Sequence, residues 1–153
     1  MKLLAIALAL SAFAMSAGDP QGFYMWKDAE LKGFAKTLAP KMSAQKVATQ
    51  NLAANGNYSF MVAHREGSGE AEFHAVQADI FVVQSGEATI TIGGELVDAK
   101  TTAPNEMRAA SIKGGSEKKL AAGDAITIPA KVAHQMKLAP GKEITYFVVK
   151  VTQ

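Results

Sequence analysis

Hydrophobic positions recur along this chain with two different periods. Between residues 28 and 38, Leu31, Phe34 and Leu38 fall at i, i+3 and i+7, one apolar stripe of an α-helix. Lys27, Lys32 and Lys36 take other faces, and Pro40 ends the run. The spacing predicts a short helix packed on the outside of a β-rich body; a lid or a homodimer contact through Tyr24, Met25 and Trp26 is the other use of this segment. From residue 46 the period drops to two and stays there. Runs 47–53 and 58–65 flank Ala54-Asn55-Gly56-Asn57, whose Asn-Gly is the strongest short hairpin signal in the chain, and put Phe60, Val62 and His64 on a common face.

Further strands come after this hairpin. Ile80 and Val82, then Thr89 and Thr91, belong to two strands joined by a tight turn at Ser85-Gly86-Glu87, and Gly93-Gly94 marks another turn. Runs 125–128, 134–138 and 144–151 complete the set; in the last, Ile144, Tyr146, Val148 and Lys150 alternate with Thr145, Phe147, Val149 and Val151. Only residues 98–116, rich in Thr, Pro, Asn and Gly, break the pattern, with a weak strand candidate at 107–112. That stretch reads as a surface insert, either overhanging the mouth of the fold or serving as an ordinary decorated loop. Many short strands, glycine turns and no second helical pattern predict an all-β, double-sheet barrel.

Composition narrows the picture. A chain of 153 residues is one domain's worth, with neither repeat nor interdomain linker. Residues 1–17 read as a secretory signal peptide: Met1-Lys2, an apolar Ala-rich run, then small residues between Ala14 and Gly18 for cleavage. The run is shorter than the ~20 residues that span a bilayer, so no stable membrane anchor is expected. The expected domains are thus the leader 1–17, a helical extension 18–45 and a barrel 46–153, secreted or periplasmic. There is no cysteine, which excludes disulfides, thiolate nucleophiles and Cys-ligated zinc. Sixteen basic against fourteen acidic residues, with no basic stripe interleaved with aromatics, make nucleic acid an unexpected partner. Ser85 and Ser111 lack a nucleophile-elbow context, and phosphate-cradling glycine loops are absent.

The candidate chemistry sits in two stretches, 72–86 and 123–134. Glu72 and His74 lie two apart, so on a strand both point the same way. Asp79 has the wrong parity for the same strand, but a turn at 76–78 would return the chain as a neighbouring strand with Asp79 aimed at the same point. His134 comes after a Gly-Asp turn, a β-branched run and Pro129. Two imidazoles and two carboxylates then converge inside a small barrel.

These residues resemble the two motifs of the cupin superfamily. His74, Asp79 and Gly86 match the first as x-H-x4-D-x6-G, and Gly123, Pro129 and His134 match the second as G-x5-P-x4-H. Glu72 stands where the usual cupin has a histidine, Asp79 where it has glutamate, Lys131 where it has a glycine and Leu138 where it has an asparagine. The resemblance covers residues 46–151 and implies a cupin-type double-stranded β-helix, a jelly-roll barrel, with the motif side chains holding one divalent metal. Many relatives lack some ligands and bind none.

Two neutral imidazoles with one or two carboxylates suit Fe(II), Mn(II), Zn(II), Ni(II) or Cu(II). His74 and His134 are the expected ligands, with Glu72 third and Asp79 either a fourth ligand or an outer carboxylate orienting a histidine N–H. Without a metal, Glu72 and Asp79 would repel, raising the pKa of one and leaving a catalytic acid–base pair. Met61, Phe81, Met136 and Tyr146 are candidates for the pocket wall or for plain core; His64 either points in beside them or is structural. Two functions fit: a mononuclear metalloenzyme of oxygenase, isomerase or lyase type acting on a small organic or sugar-like molecule, or a non-catalytic binding or storage module.

Overall fold

The structure, a computed structural model, describes residues 18–153; the leader expected at 1–17 lies outside them. Helix α1 (Asp28–Leu38) forms where the stripe predicts it. Asp28 and Glu30 occupy its first turn, where the helix dipole favours negative charge, and the Glu30 carboxylate accepts the Lys27 backbone N–H at 2.7 Å. Its apolar stripe packs on the outside of the sheet, with Leu38 buried against Ala48 and Val62 and flanked by Leu31, Phe34 and Phe147. A short 3-10 turn, Ala39–Lys41, carries the chain away through Pro40.

The remaining described residues form twelve strands: β1 (Val47–Asn55), β2 (Tyr58–Arg65), β3 (Ala71–His74), β4 (Gln77–Ile92), β5 (Glu95–Val97), β6 (Lys100–Ala103), β7 (Glu106–Ala109), β8 (Ser111–Lys113), β9 (Ser116–Ala121), β10 (Ala125–Ile128), β11 (His134–Lys137) and β12 (Ile144–Thr152). Ten of them form a curled sheet ordered β1-β2-β12-β4-β11-β3-β7-β6, with β9 and β10 also paired to β4; β5 and β8 form a separate pair. All the pairings are antiparallel. The core lies inside the curl, where Ala63, Phe81, Val83, Ile90, Leu120, Ile128, Met136, Ile144, Tyr146 and Val148 pack together.

Four local expectations need correction. The first hairpin forms where the pattern predicts it, but its loop is only Gly56-Asn57, because β1 continues through Ala54 and Asn55; Gly56 takes the positive φ of +59°. Ser85-Gly86-Glu87 is no turn either, since β4 runs through it for sixteen residues. Its first part pairs with β10 and β12, and its second with β9 and β11. Gly86 is what allows the bend: its φ is +79°, and a Cβ there would lie 2.0 Å from the Glu143 carbonyl oxygen.

Third, residues 77–84 do not return as a neighbour of β3. The chain bends at Ala75-Val76 and crosses to β10 and β12, so Asp79 approaches His74 from across the curl. Fourth, the insert is not a loop. Pro104-Asn105 turns a β6–β7 hairpin, and β7 lies beside β3. Each strand of that pair has only four residues, and Lys100–Ala103 does not alternate polar with apolar, which is why the sequence pattern shows no more than the weak candidate at 107–112.

Candidate metal centre

Register brings the motif residues together. Glu72 on β3 is paired directly with His134 on β11, and Asp79 on β4 with Lys150 on β12. Oxygen or nitrogen atoms of Glu72, His74 and His134 all lie within 4.8 Å of one another. His74 Nε2 is 3.6 Å from Glu72 Oε2 and 3.3 Å from Asp79 Oδ2, and His134 Nε2 is 3.9 Å from Asp79 Oδ2. Adjacent ligands of an ion bound at ~2.1 Å stand roughly 3 to 3.4 Å apart, so these separations are close to ligand spacing.

Both imidazoles are set in one tautomer by what their other nitrogen touches. His74 Nδ1–H donates to Glu106 Oε2 at 2.6 Å, and His134 Nδ1–H donates to the Val132 carbonyl at 3.2 Å. The Nε2 lone pair of each ring is therefore free in the uncharged state. Each ring is only 3% exposed, and among the described residues neither Nε2 has a hydrogen-bond partner. Asp79 is near His74 Nε2, but not aligned to accept from it as a hydrogen bond. Two buried, unsatisfied nitrogens aimed at the same space are costly unless a cation or proton fills it.

Charge around the cluster is balanced pair by pair. Lys150 Nζ donates to both oxygens of Asp79, at 2.9 and 3.0 Å. Arg65 and Arg108 flank Glu72 at 3.4 and 3.3 Å, and Arg108 also reaches Glu106 at 3.1 Å. Burial opposes the Asp79 charge, yet His74 and Lys150 overcome it and hold the carboxyl below its ordinary value. The expected repulsion between Glu72 and Asp79 is thus replaced by cations, and Asp79 is not the raised member of an acid–base pair. Burial likewise disfavours a charged His74, but Asp79 and Glu106 outweigh it and raise its pKa. For His134 burial prevails and lowers it.

Lys131 explains how the second motif works without its glycine. Its φ is +65°, the left-handed conformation a glycine adopts freely, and its N–H donates to the His74 carbonyl at 2.8 Å. The backbone geometry survives the substitution, and it ties the motif loop to β3.

A cavity of about 470 Å³ opens beside the cluster. Met61, Phe81, Tyr146 and Val148 line it; Glu70, Glu72, Asp79, Arg65, Arg108 and Lys150 supply its charged wall. Tyr146 is fixed by Arg65, whose Nε donates to its hydroxyl at 2.9 Å. Two residues take the other alternative open to them. Met136 belongs to the packed core, and His64, on β2 between the inward-facing Ala63 and Arg65, points out of the barrel and bonds Thr145 as a structural histidine. Sequence reasoning missed Glu106, Arg108, Arg65 and Lys150. The only trace of the first two was their two-residue spacing just after Pro104-Asn105.

No family model matches this sequence, and no curated protein does. Solved structures do. A cupin 2 conserved barrel domain protein from Rhodopseudomonas palustris superposes with a TM-score of 0.50 at 19% identity, over 70% of this chain and 61% of that one. Recombinant oxalate oxidase in complex with glycolate gives 0.52 at 17% identity, over 72% of this chain and 53% of that one. The polyketide cyclase RemF from Streptomyces resistomycificus gives 0.51 at 16% identity, over 73% and 69%. The match thus spans less than two thirds of the first two chains, and at these identities the likeness is one of fold.

Proposed function

Because the chain has the cupin fold, we propose that it holds one divalent transition metal through His74, His134 and Glu72 and acts on a small organic molecule in the adjoining cavity. One observation carries this reading: two nearly inaccessible imidazoles present unpartnered Nε2 atoms beside a carboxylate, each with its Nδ1 already engaged. Glu106 takes the orienting part that was open to Asp79. Asp79, held by Lys150 on both oxygens, stands beside the three donors rather than among them. Three protein donors leave positions for water or substrate, and a metal there supplies Lewis-acid or redox chemistry.

The chain's own residues define what enters. Four carboxylates (Glu70, Glu72, Asp79, Glu106) face three cations (Arg65, Arg108, Lys150), so a divalent ion turns the balance at the cavity to a small excess of positive charge. That excess favours a small organic anion over a neutral sugar. Met61, Phe81 and Val148 would cover its apolar part, and the Arg65-held Tyr146 hydroxyl would position a polar group. We further read residues 1–17 as an export signal, so that this happens outside the cytoplasm.

Elemental analysis of the purified protein tests the metal. Bound transition metal in the wild type, with one equivalent lost in His134→Ala and in His74→Ala and partial loss in Glu72→Ala, is expected. Wild-type protein that takes up no metal on titration, or His134→Ala that keeps all of it, would overturn the site. Turnover of a carboxylate-bearing substrate by the loaded protein separates the enzyme from a binding module that only retains it.

A further inference from the structure

The third histidine is left in an unusual condition, on the opposite face of the sheet from the cavity. His64 is paired with Ala48 on β1 and Thr145 on β12. Its side chain is 1% exposed, and its Nδ1 is 2.8 Å from the hydroxyl of the fully buried Thr145. Among the described residues its Nε2 has no hydrogen-bond partner. The ionic group it faces is the Glu66 carboxylate, with Oε1 at 3.6 Å, and Glu143 brings a third donor so that all three atoms lie within 4.8 Å of one another.

Topology makes this meeting unavoidable. Arg65, the last residue of β2, pairs with Ile144, the first of β12, so the residues just beyond, Glu66 and Glu143, leave adjacent strand ends side by side. Two like charges in that position repel. Among the described residues neither is salt-bridged to a lysine or arginine, and Lys142, next in sequence, is occupied with Glu87 at 2.7 Å. A buried imidazole nitrogen without a partner and two exposed, uncompensated carboxylates share one need, a cation between them.

We propose that His64, Glu66 and Glu143 form a second, peripheral site for a divalent ion of the zinc class. With Nδ1–H donating to Thr145, the Nε2 lone pair faces the carboxylates, and the 3.6 Å separation is near that of two ligands of one zinc. One nitrogen and two carboxylates suit zinc better than calcium, which takes six to eight oxygens. Glu66 opens the loop whose Ser68, Gly69 and Glu70 line the cavity, so the ion fastens that rim to the start of β12. The site is independent of the barrel centre.

Zinc titration of the metal-stripped full chain, followed by calorimetry, tests this. The wild type takes up two equivalents, and Glu66→Gln/Glu143→Gln takes up one; both residues are exposed, so the fold should tolerate the change. In His134→Ala the remaining equivalent disappears when the two glutamine changes are added. Nitrogen-15 shifts of His64 give a second readout: an Nε2 resonance that is unprotonated without zinc and moves on zinc addition supports the site. Equal stoichiometry in the wild type and the double glutamine variant overturns it, as does an Nε2 that stays protonated and unmoved. Failure of the barrel centre reads differently, as equal stoichiometry in the wild type and His134→Ala.

Discussion

Strands β2 and β12 have two faces of opposite character. On the outer face, Phe60 and Phe147 stack with ring centroids 5.9 Å apart and meet Trp26 at 5.0 and 5.5 Å, while Val62 is buried against Leu38. On the inner face the same strands present Met61, Ala63 and Arg65, then Tyr146, Val148 and Lys150, and both cations are committed to partners. The outer face is held by area removed from water, which has no direction and depends on volume. The inner face joins the packed core through Ala63, Tyr146 and Val148 and adds matched charge, where removing one partner strands the other.

Lys150→Met should show the largest effect, because it leaves the 2% exposed Asp79 carboxylate without its cation. Breaking such a pair costs about 3–5 kcal/mol, to be read by urea unfolding of metal-free protein. The sign with pH is definite. Asp79 is held below its ordinary value, so its contribution is present above the unfolded pKa of about 4 and is lost as pH falls through the lower folded value. Wild-type stability should therefore drop on acidification, and that of Asp79→Asn/Lys150→Met should drop less. A cost under ~1 kcal/mol for Lys150→Met, the range of an exposed ion pair, would show that the Lys150–Asp79 pair does not hold the inner face.

Leu38→Ala probes the outer face. It should cost about 2–5 kcal/mol while leaving zinc uptake at the barrel centre unchanged; a parallel loss of metal would show that the two faces are not separable. Glu106→Gln returns to the inner face, where loss of the orienting carboxylate should weaken metal binding about 10–100-fold in competition with a chelating dye. Unchanged affinity would remove Glu106 from that part. The smallest effect, and a stabilising one, belongs to Lys131→Gly, which relieves a left-handed residue and should add roughly 1 kcal/mol, seen as a higher Tm; a fall in Tm would mean that the lysine side chain matters more than its backbone.

The outer face was the more legible of the two. Leu31, Phe34 and Leu38 mark α1 at its observed limits, and the alternation in 144–151 assigns Tyr146 and Lys150 to one face correctly, because period and polarity are local properties of consecutive residues. The motif spacing picked out Glu72, His74, Asp79 and His134, and these do meet. His64 was assigned a face with Phe60 and Val62, which holds, but whether that face looked inward was beyond any periodicity. At Gly86 residue type alone is ambiguous: a positive φ serves a bend in a continuous strand as well as a reversal.

By itself the sequence determined strand-forming runs, the single helix, the absence of thiol chemistry and the identity of the four central side chains, since each depends on residue type and near-neighbour spacing. Tertiary structure decided which charges neutralise which. Lys150 and Asp79 are 71 residues apart, His74 and Glu106 are 32 apart, and His64 and Thr145 are 81 apart. Such partners are chosen by strand pairing across the curl, and a Coulomb or hydrogen-bond contact of about 3 Å leaves no trace in the order of the residues that make it.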